Sequence, residues 1–167
     1  MPTEPSWLII ARSYLGVAEI PGPSSDPVIM RWAKNAGGWV KSFFVNDDIP
    51  WCALFVNNVL LEDGLKGTGT LAALDFKKWG VELKEPALGA IVVFQRPGGG
   101  HVGFYLGQRA DGAVRVLGGN QSNAVTDNAW LAGNRLVSVR WPPDRPLPTS
   151  GPIRLAANGA TLSTNEA

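Results

Sequence analysis

Ala90-Ile91-Val92-Val93-Phe94-Gln95-Arg96-Pro97-Gly98-Gly99-Gly100-His101-Val102-Gly103-Phe104-Tyr105-Leu106 is the stretch on which the fold turns. It holds two short apolar runs rich in β-branched and aromatic residues, separated by Pro97 and three glycines. Runs of this length and composition, bounded by turn residues, read as strands over 90–94 and 101–106. Pro86 and Gly89 introduce the first. A turn at Arg109-Ala110-Asp111-Gly112 then leads into a third run, 113–117, and Leu136 to Trp141 is a fourth. Upstream the period changes. Pro5 to Val17 carries apolar residues at helical spacing. Asp26-Pro27 is a cap followed by an early helical proline, so 28–36 is a short helix that stops at Gly37-Gly38. Asn46-Asp47-Asp48-Ile49-Pro50 is a second start signal, with Asp48 the expected cap, and Trp51 to Leu61 an amphipathic helix ending near Gly64. Leu71 to Trp79 is another short helix. Helices first and an antiparallel sheet afterwards make an α+β plan. Residues 1–142 are expected to form one domain. The segment 143–167, rich in Pro, Ser, Thr and Asn, is expected to be an irregular or partly disordered tail.

Composition narrows the chemistry. The 167 residues include one cysteine and one histidine, and the net charge is +1. A single cysteine allows no internal disulfide. Structural zinc sites and zinc hydrolases built on several histidines are likewise excluded. No cofactor and no metal are expected. A near-neutral chain without Lys/Arg runs is not expected to bind nucleic acid. No run of about 18 apolar residues is present, so no integral membrane contact is expected. MPTEPSWLII lacks the basic and apolar parts of a Sec signal. Synthesis in the cytoplasm and delivery by another route are therefore expected. A monomer is expected.

Scarcity makes the two reactive side chains easy to find. Cys52 lies in the first turn of the helix that follows Pro50, where the helix N-terminus favours thiolate over thiol. The plain alternative is a small buried apolar residue between Trp51 and Phe55. His101 opens a strand directly after three glycines, and Gly100 would let a substrate backbone approach closely. The plain alternative is an inert histidine at a strand end. The hairpin supplies a third group. In the register that pairs Gln108 with Ala113, Asn120 falls opposite His101. With Asp111-Gly112 at the centre of the turn it becomes a diagonal neighbour on the same face. Gln121 points to the other face in both registers. Asn120 is thus the expected orienter of the imidazole. A thiol, a base and a polar group that orients the base form the general device of a thiol hydrolase.

The segments Pro50-Trp51-Cys52-Ala53-Leu54-Phe55-Val56-Asn57, His101-Val102-Gly103-Phe104-Tyr105-Leu106-Gly107 and Gly118-Gly119-Asn120-Gln121-Ser122, in that order, resemble papain-like cell-wall peptidases of the CHAP and NlpC type. Leu15 to Gly22 is similar to the small branch found in phage lysins. The resemblance covers roughly residues 7–141 and implies a papain-like core. It also implies hydrolysis of an amide bond in bacterial peptidoglycan through a thioester on Cys52, with His101 as base and Asn120 matching the orienting amide of CHAP domains. It implies bacteriolytic action at the wall, in the periplasm or outside the cell, after delivery by a holin, a secretion system or a phage particle. Two features depart from the pattern. NlpC-type enzymes often use a second histidine, which is absent here. Many CHAP domains carry a glutamate at the place of Gly118. Among groove residues, Trp39, Trp51, Gly100 and Gln121 are the candidates for substrate binding. An acyltransferase on the same site and a non-catalytic module of a phage particle are the competing readings.

Overall fold

The computed structural model describes residues 2–162. Four α-helices precede a sheet of six antiparallel strands: α1 Ser6–Ser13, α2 Pro27–Ala36, α3 Gly38–Phe43 and α4 Cys52–Glu62, then β1 Val81–Glu82, β2 Ile91–Arg96, β3 Gly99–Gln108, β4 Val114–Gln121, β5 Ala124–Leu131 and β6 Leu136–Trp141. The spatial order is β1-β6-β2-β3-β4-β5. The α+β class follows from sequence as expected. The helix over 28–36 begins where its cap signal lies. Asp26 accepts from Val28 N at 2.8 Å and Ile29 N at 3.1 Å, and Pro27 occupies the first turn, where its missing N–H costs nothing.

Several elements differ from the sequence reading. Gly37-Gly38 ends α2 but does not end helix: both glycines take positive φ, the chain turns, and α3 begins at once. The segment 71–79 forms a 3₁₀ turn, Ala73–Lys78, rather than an α-helix. Strands β1 and β5 are additional. The helix α4 was expected to be amphipathic, yet eight of its eleven residues are buried. A helix that is apolar all round is enclosed on all sides. Here α1 and α2 cover one side of α4 while β3 and β4 cover the other. Phe55 sits at the junction, edge-on to Phe104 at 6.2 Å and tilted against Trp32 at 5.4 Å. The close approach of sheet to helix depends on Gly119. A Cβ there would lie 2.7 Å from both Phe55 Cβ and the Trp51 ring. Gly119→Ala is therefore expected to destabilise the chain by about 1–3 kcal/mol, the cost of overpacking a filled core, read as a lowered denaturation midpoint at unchanged m-value.

The region beyond 142 is not without structure. Ile153 and Leu155 exchange backbone hydrogen bonds with Gln108 at the end of β3, at 2.8 Å each, and Leu155 is buried. Tyr105 Oη lies under this crossing and accepts from Ile153 N at 3.1 Å. A short apolar anchor was hidden inside polar composition. The expectation of disorder over 163–167 lies outside the described residues.

Two loops set the start of α4. Asp47, fully buried, accepts through Oδ2 from Ile20 N at 3.0 Å and Asp26 N at 2.8 Å, while its own N–H donates to Ser25 Oγ at 3.2 Å. Residues 16–19 run along the free edge of β5: Gly16 N donates to Val125 O, Val125 N to Val17 O, and Glu19 N to Asn123 O. Glu19 then accepts from Trp51 Nε1 at 2.8 Å, one residue before the cysteine.

Candidate active site

Cys52 is the first residue of α4. No side chain caps that helix. Asp48, the expected cap, instead has its N–H held by Asn46 Oδ1 at 3.1 Å, a local turn that stops short of the helix. The first-turn amides of α4 are thus left for other partners. Cys52 is 8% exposed, and the backbone N–H groups of Val102, Ala53 and Cys52 itself lie near enough to the sulfur to favour its thiolate. Val102 belongs to β3 and is the neighbour of His101, so the start of α4 abuts the start of the histidine strand. Cys52 and His101 line one open cleft of about 430 Å³, together with Gly100, Asn120 and Gln121.

The imidazole is oriented by Gln121, not Asn120. His101 Nε2 lies 2.9 Å from Gln121 Oε1. The other end of that amide is fixed: Gln121 Nε2 donates to Thr126 Oγ1 at 2.9 Å, Thr126 O at 3.1 Å and Val116 O at 3.2 Å. Three acceptors around Nε2 settle which way the amide points, so Oε1 is the atom facing the ring. An oxygen acceptor makes His101 Nε2 the protonated nitrogen. The lone pair then falls on Nδ1, which has no hydrogen-bond partner among the described residues.

The register inferred from sequence holds for part of the hairpin. Phe104 pairs with Leu117 and Tyr105 with Val116, a pairing that would carry Asn120 to His101 if it continued. It does not continue. The pairing of β4 with β5 shifts between Val116 and Gly118 and again between Gly118 and Gln121, and Asn120 adopts φ 57°. A bulge with a left-handed residue breaks the strict alternation of side chains, which exchanges the faces of Asn120 and Gln121. Gly118 makes room for the result: a Cβ there would meet Gln121 Oε1 at 2.6 Å and His101 Nε2 at 3.3 Å. The glutamine amide fills the space that a larger residue at 118 would occupy.

Electrostatics also depart from expectation. Burial pushes the Cys52 thiol above its ordinary value, against the smaller opposing pull of the three N–H groups and of Arg96. Burial likewise pushes the His101 imidazole below its ordinary value. The Gln121 hydrogen bond opposes this shift, and the positive charge of Arg96 adds to it. The helix N-terminus does favour thiolate, but desolvation outweighs it. Both groups are therefore neutral near pH 7, a thiol and an imidazole lining one cleft.

The expected substrate-binding residues divide. Gly100 lines the cleft, though its missing side chain is also required by packing, since a Cβ would lie 2.7 Å from Leu74 Cδ2 and 2.9 Å from Phe94 O. Gln121 lines the cleft but is engaged with the histidine. Trp51 is wholly buried, tilted against Trp32 at 5.9 Å, and cannot touch a ligand. Trp39 is 54% exposed on α3, edge-on to Phe43, and is not among the residues lining the cleft. The tryptophan in the cleft is Trp130 of β5, whose ring carries the Arg109 guanidinium at 4.5 Å. Arg96, Ser122 and Arg135 also line it. The lone signal for Trp130 in the sequence was an aromatic residue in a segment with no clean period.

Residues 44–120 match the family model described as the CHAP domain. The match ends one residue before Gln121. No curated protein matches the chain.

Proposed function

We propose, from the match of residues 44–120 to the CHAP domain model, that the protein hydrolyses an amide bond of the peptidoglycan peptide, with Cys52 as nucleophile and His101 as general base and acid. CHAP domains are generally cysteine- and histidine-dependent amidases or peptidases acting on peptidoglycan. The observation that carries the reading is local: the chain's only cysteine and only histidine line one cleft, and Gln121 holds the imidazole with Nδ1 free to accept a proton. The resemblance of residues 15–22 to phage lysins supports a bacteriolytic setting for the same reaction.

The steps follow from the resting charge state. His101 Nδ1 takes the Cys52 proton as the sulfur attacks the carbonyl carbon. Charge then develops on the carbonyl oxygen, and the N–H of Cys52 at the uncapped start of α4 is a suitable donor for it. The tetrahedral species collapses. The C–N bond breaks, and the imidazolium gives its proton to the leaving amine. The thioester is hydrolysed by water that loses a proton to His101, which restores the neutral pair and releases a carboxylic acid.

Purified sacculi provide the test. Incubation is expected to release fragments whose masses show one new amine and one new carboxyl group at a peptide or muramoyl–peptide bond, with the glycan chains intact. Unchanged sacculi, or fragments ending in newly cut sugars, would overturn the reading. The pH profile follows from the shifts. The reactive pair shares one transferable proton, so activity falls at low pH when His101 is already protonated beside a thiol, and at high pH when the thiol proton is lost and none remains for the leaving amine. With imidazole lowered and thiol raised, the plateau of kcat/KM is expected to extend from below about pH 6.5 to above about pH 9.0. A bell narrower than that interval would contradict a resting pair that is neutral.

A further inference from the structure

The cleft holds two cations and no anion. Arg96 ends β2 and Arg135 ends the 3₁₀ turn Gly133–Arg135, and both line the cleft. Phe94 pairs with Leu136 across β2 and β6, which brings the two arginine-bearing segments side by side on one rim. No aspartate or glutamate lines the cleft. Among the described residues, neither guanidinium makes a side-chain hydrogen bond or a salt bridge, whereas Arg12, Arg109, Arg115 and Arg145 are all engaged with carboxylates. Arg96 lies close enough to the reacting groups for its charge to be felt by both Cys52 and His101. Two guanidinium groups on one rim with no carboxylate partner of their own suit a carboxylate brought by a ligand. The planar fork of arginine matches a carboxylate through two parallel hydrogen bonds.

We infer that Arg96 and Arg135 select substrates bearing a free carboxylate close to the scissile amide, so that the protein acts on an acidic wall peptide rather than on its amidated counterpart. The inference rests on the hydrolase reading and narrows its substrate. Neighbouring groups complete the recognition. Gln95 and Ser122 offer polar contacts in the same cleft, and Trp130 offers an aromatic surface. An arginine clamp of this kind orients as well as attracts. It sets which amide of a peptide with several carboxylates comes to rest over the sulfur.

Binding tests this without turnover. The full chain carrying Cys52→Ala is titrated with a synthetic wall-type peptide bearing free carboxylates, and with the same peptide amidated throughout. The free peptide is expected to bind roughly tenfold more tightly, the worth of one charge-assisted contact, and the advantage is expected to weaken as salt rises. In a protein that also carries Arg96→Gln and Arg135→Gln, both at exposed positions, the preference is expected to fall within about twofold. Equal affinity for the two peptides, no binding of either, or a preference that survives the double substitution would each overturn the inference. Cleavage by the unaltered protein is read separately. A failure of the Cys–His reading appears as peptides bound selectively and left uncut. A failure of the arginine inference appears as peptides cut without regard to charge.

Discussion

Cys52→Ala is expected to lower peptidoglycan hydrolysis by on the order of 10⁴-fold or more, and His101→Ala by a similar amount, with the double variant no worse than either alone. The nucleophile and its base act as a unit, so removing one leaves the other without a task. The loss is chemical rather than structural. The cysteine side chain is small, its removal from the edge of the core costs about 1 kcal/mol at most, and the N–H groups near the sulfur belong to the backbone and remain. An unchanged far-ultraviolet spectrum and a denaturation midpoint close to that of the parent chain, beside lost fragment release from sacculi, are the combined expected result. Retained hydrolysis in Cys52→Ala would remove the thioester from the account altogether.

The second large effect separates two neighbouring amides. Gln121→Leu is expected to reduce kcat by on the order of 10–100-fold, the usual weight of a partner that fixes ring orientation and tautomer, whereas Asn120→Ala stays within about threefold of the parent. Leucine keeps the bulk of the side chain but leaves His101 Nε2 without its acceptor, so neither the orientation nor the tautomer of the ring is fixed any longer. A general loss of packing would not shift a titration, but loss of this hydrogen bond does. The Gln121 contact supports the protonated imidazole, so its removal is expected to move the acidic limb of the pH profile further down. Gln121→Glu places a carboxylate at the same point and is expected to move that limb up while restoring part of kcat. An Asn120→Ala variant crippled in kcat, with Gln121→Leu unaffected, would return the orienting role to residue 120.

The helical half of the molecule was written in local signals. Asp26 and Pro27 mark the start of α2, and the apolar content of 52–60 marks the helix that the rest of the chain surrounds. The reacting pair was legible because the chain holds one cysteine and one histidine. The third group was not, and the reason lies in β5. Ala124 to Leu131 is an outer strand of the sheet, and only Val125 among its residues is buried. A half-wet strand shows no clean two-residue period, so nothing in its composition announces it. Without β5, Thr126 has no place beside β4, and the bulge that turns Gln121 toward His101 has no partner to define it. The run Gly118 to Asn123 does advertise a turn, since asparagine tolerates left-handed backbone, and Asn120, Ser122 and Asn123 all adopt it. The sense in which that turn exchanges two side chains depends on a pairing that is not local. The same limit explains α3. Two glycines end a helix by rule, but whether another begins depends on what Val40 and Phe44 find to bury against.

The hem formed where residues 16–19 are stitched to β5 has a practical meaning for anyone wishing to borrow this chemistry. A fragment cut to the span shared with related domains would carry the sulfur and the ring yet leave behind the amide that holds the ring, along with Glu19, which steadies Trp51 from 32 residues upstream. The transplantable module is thus wider on both sides than its recognisable signature, and its first twenty residues travel with it as working parts.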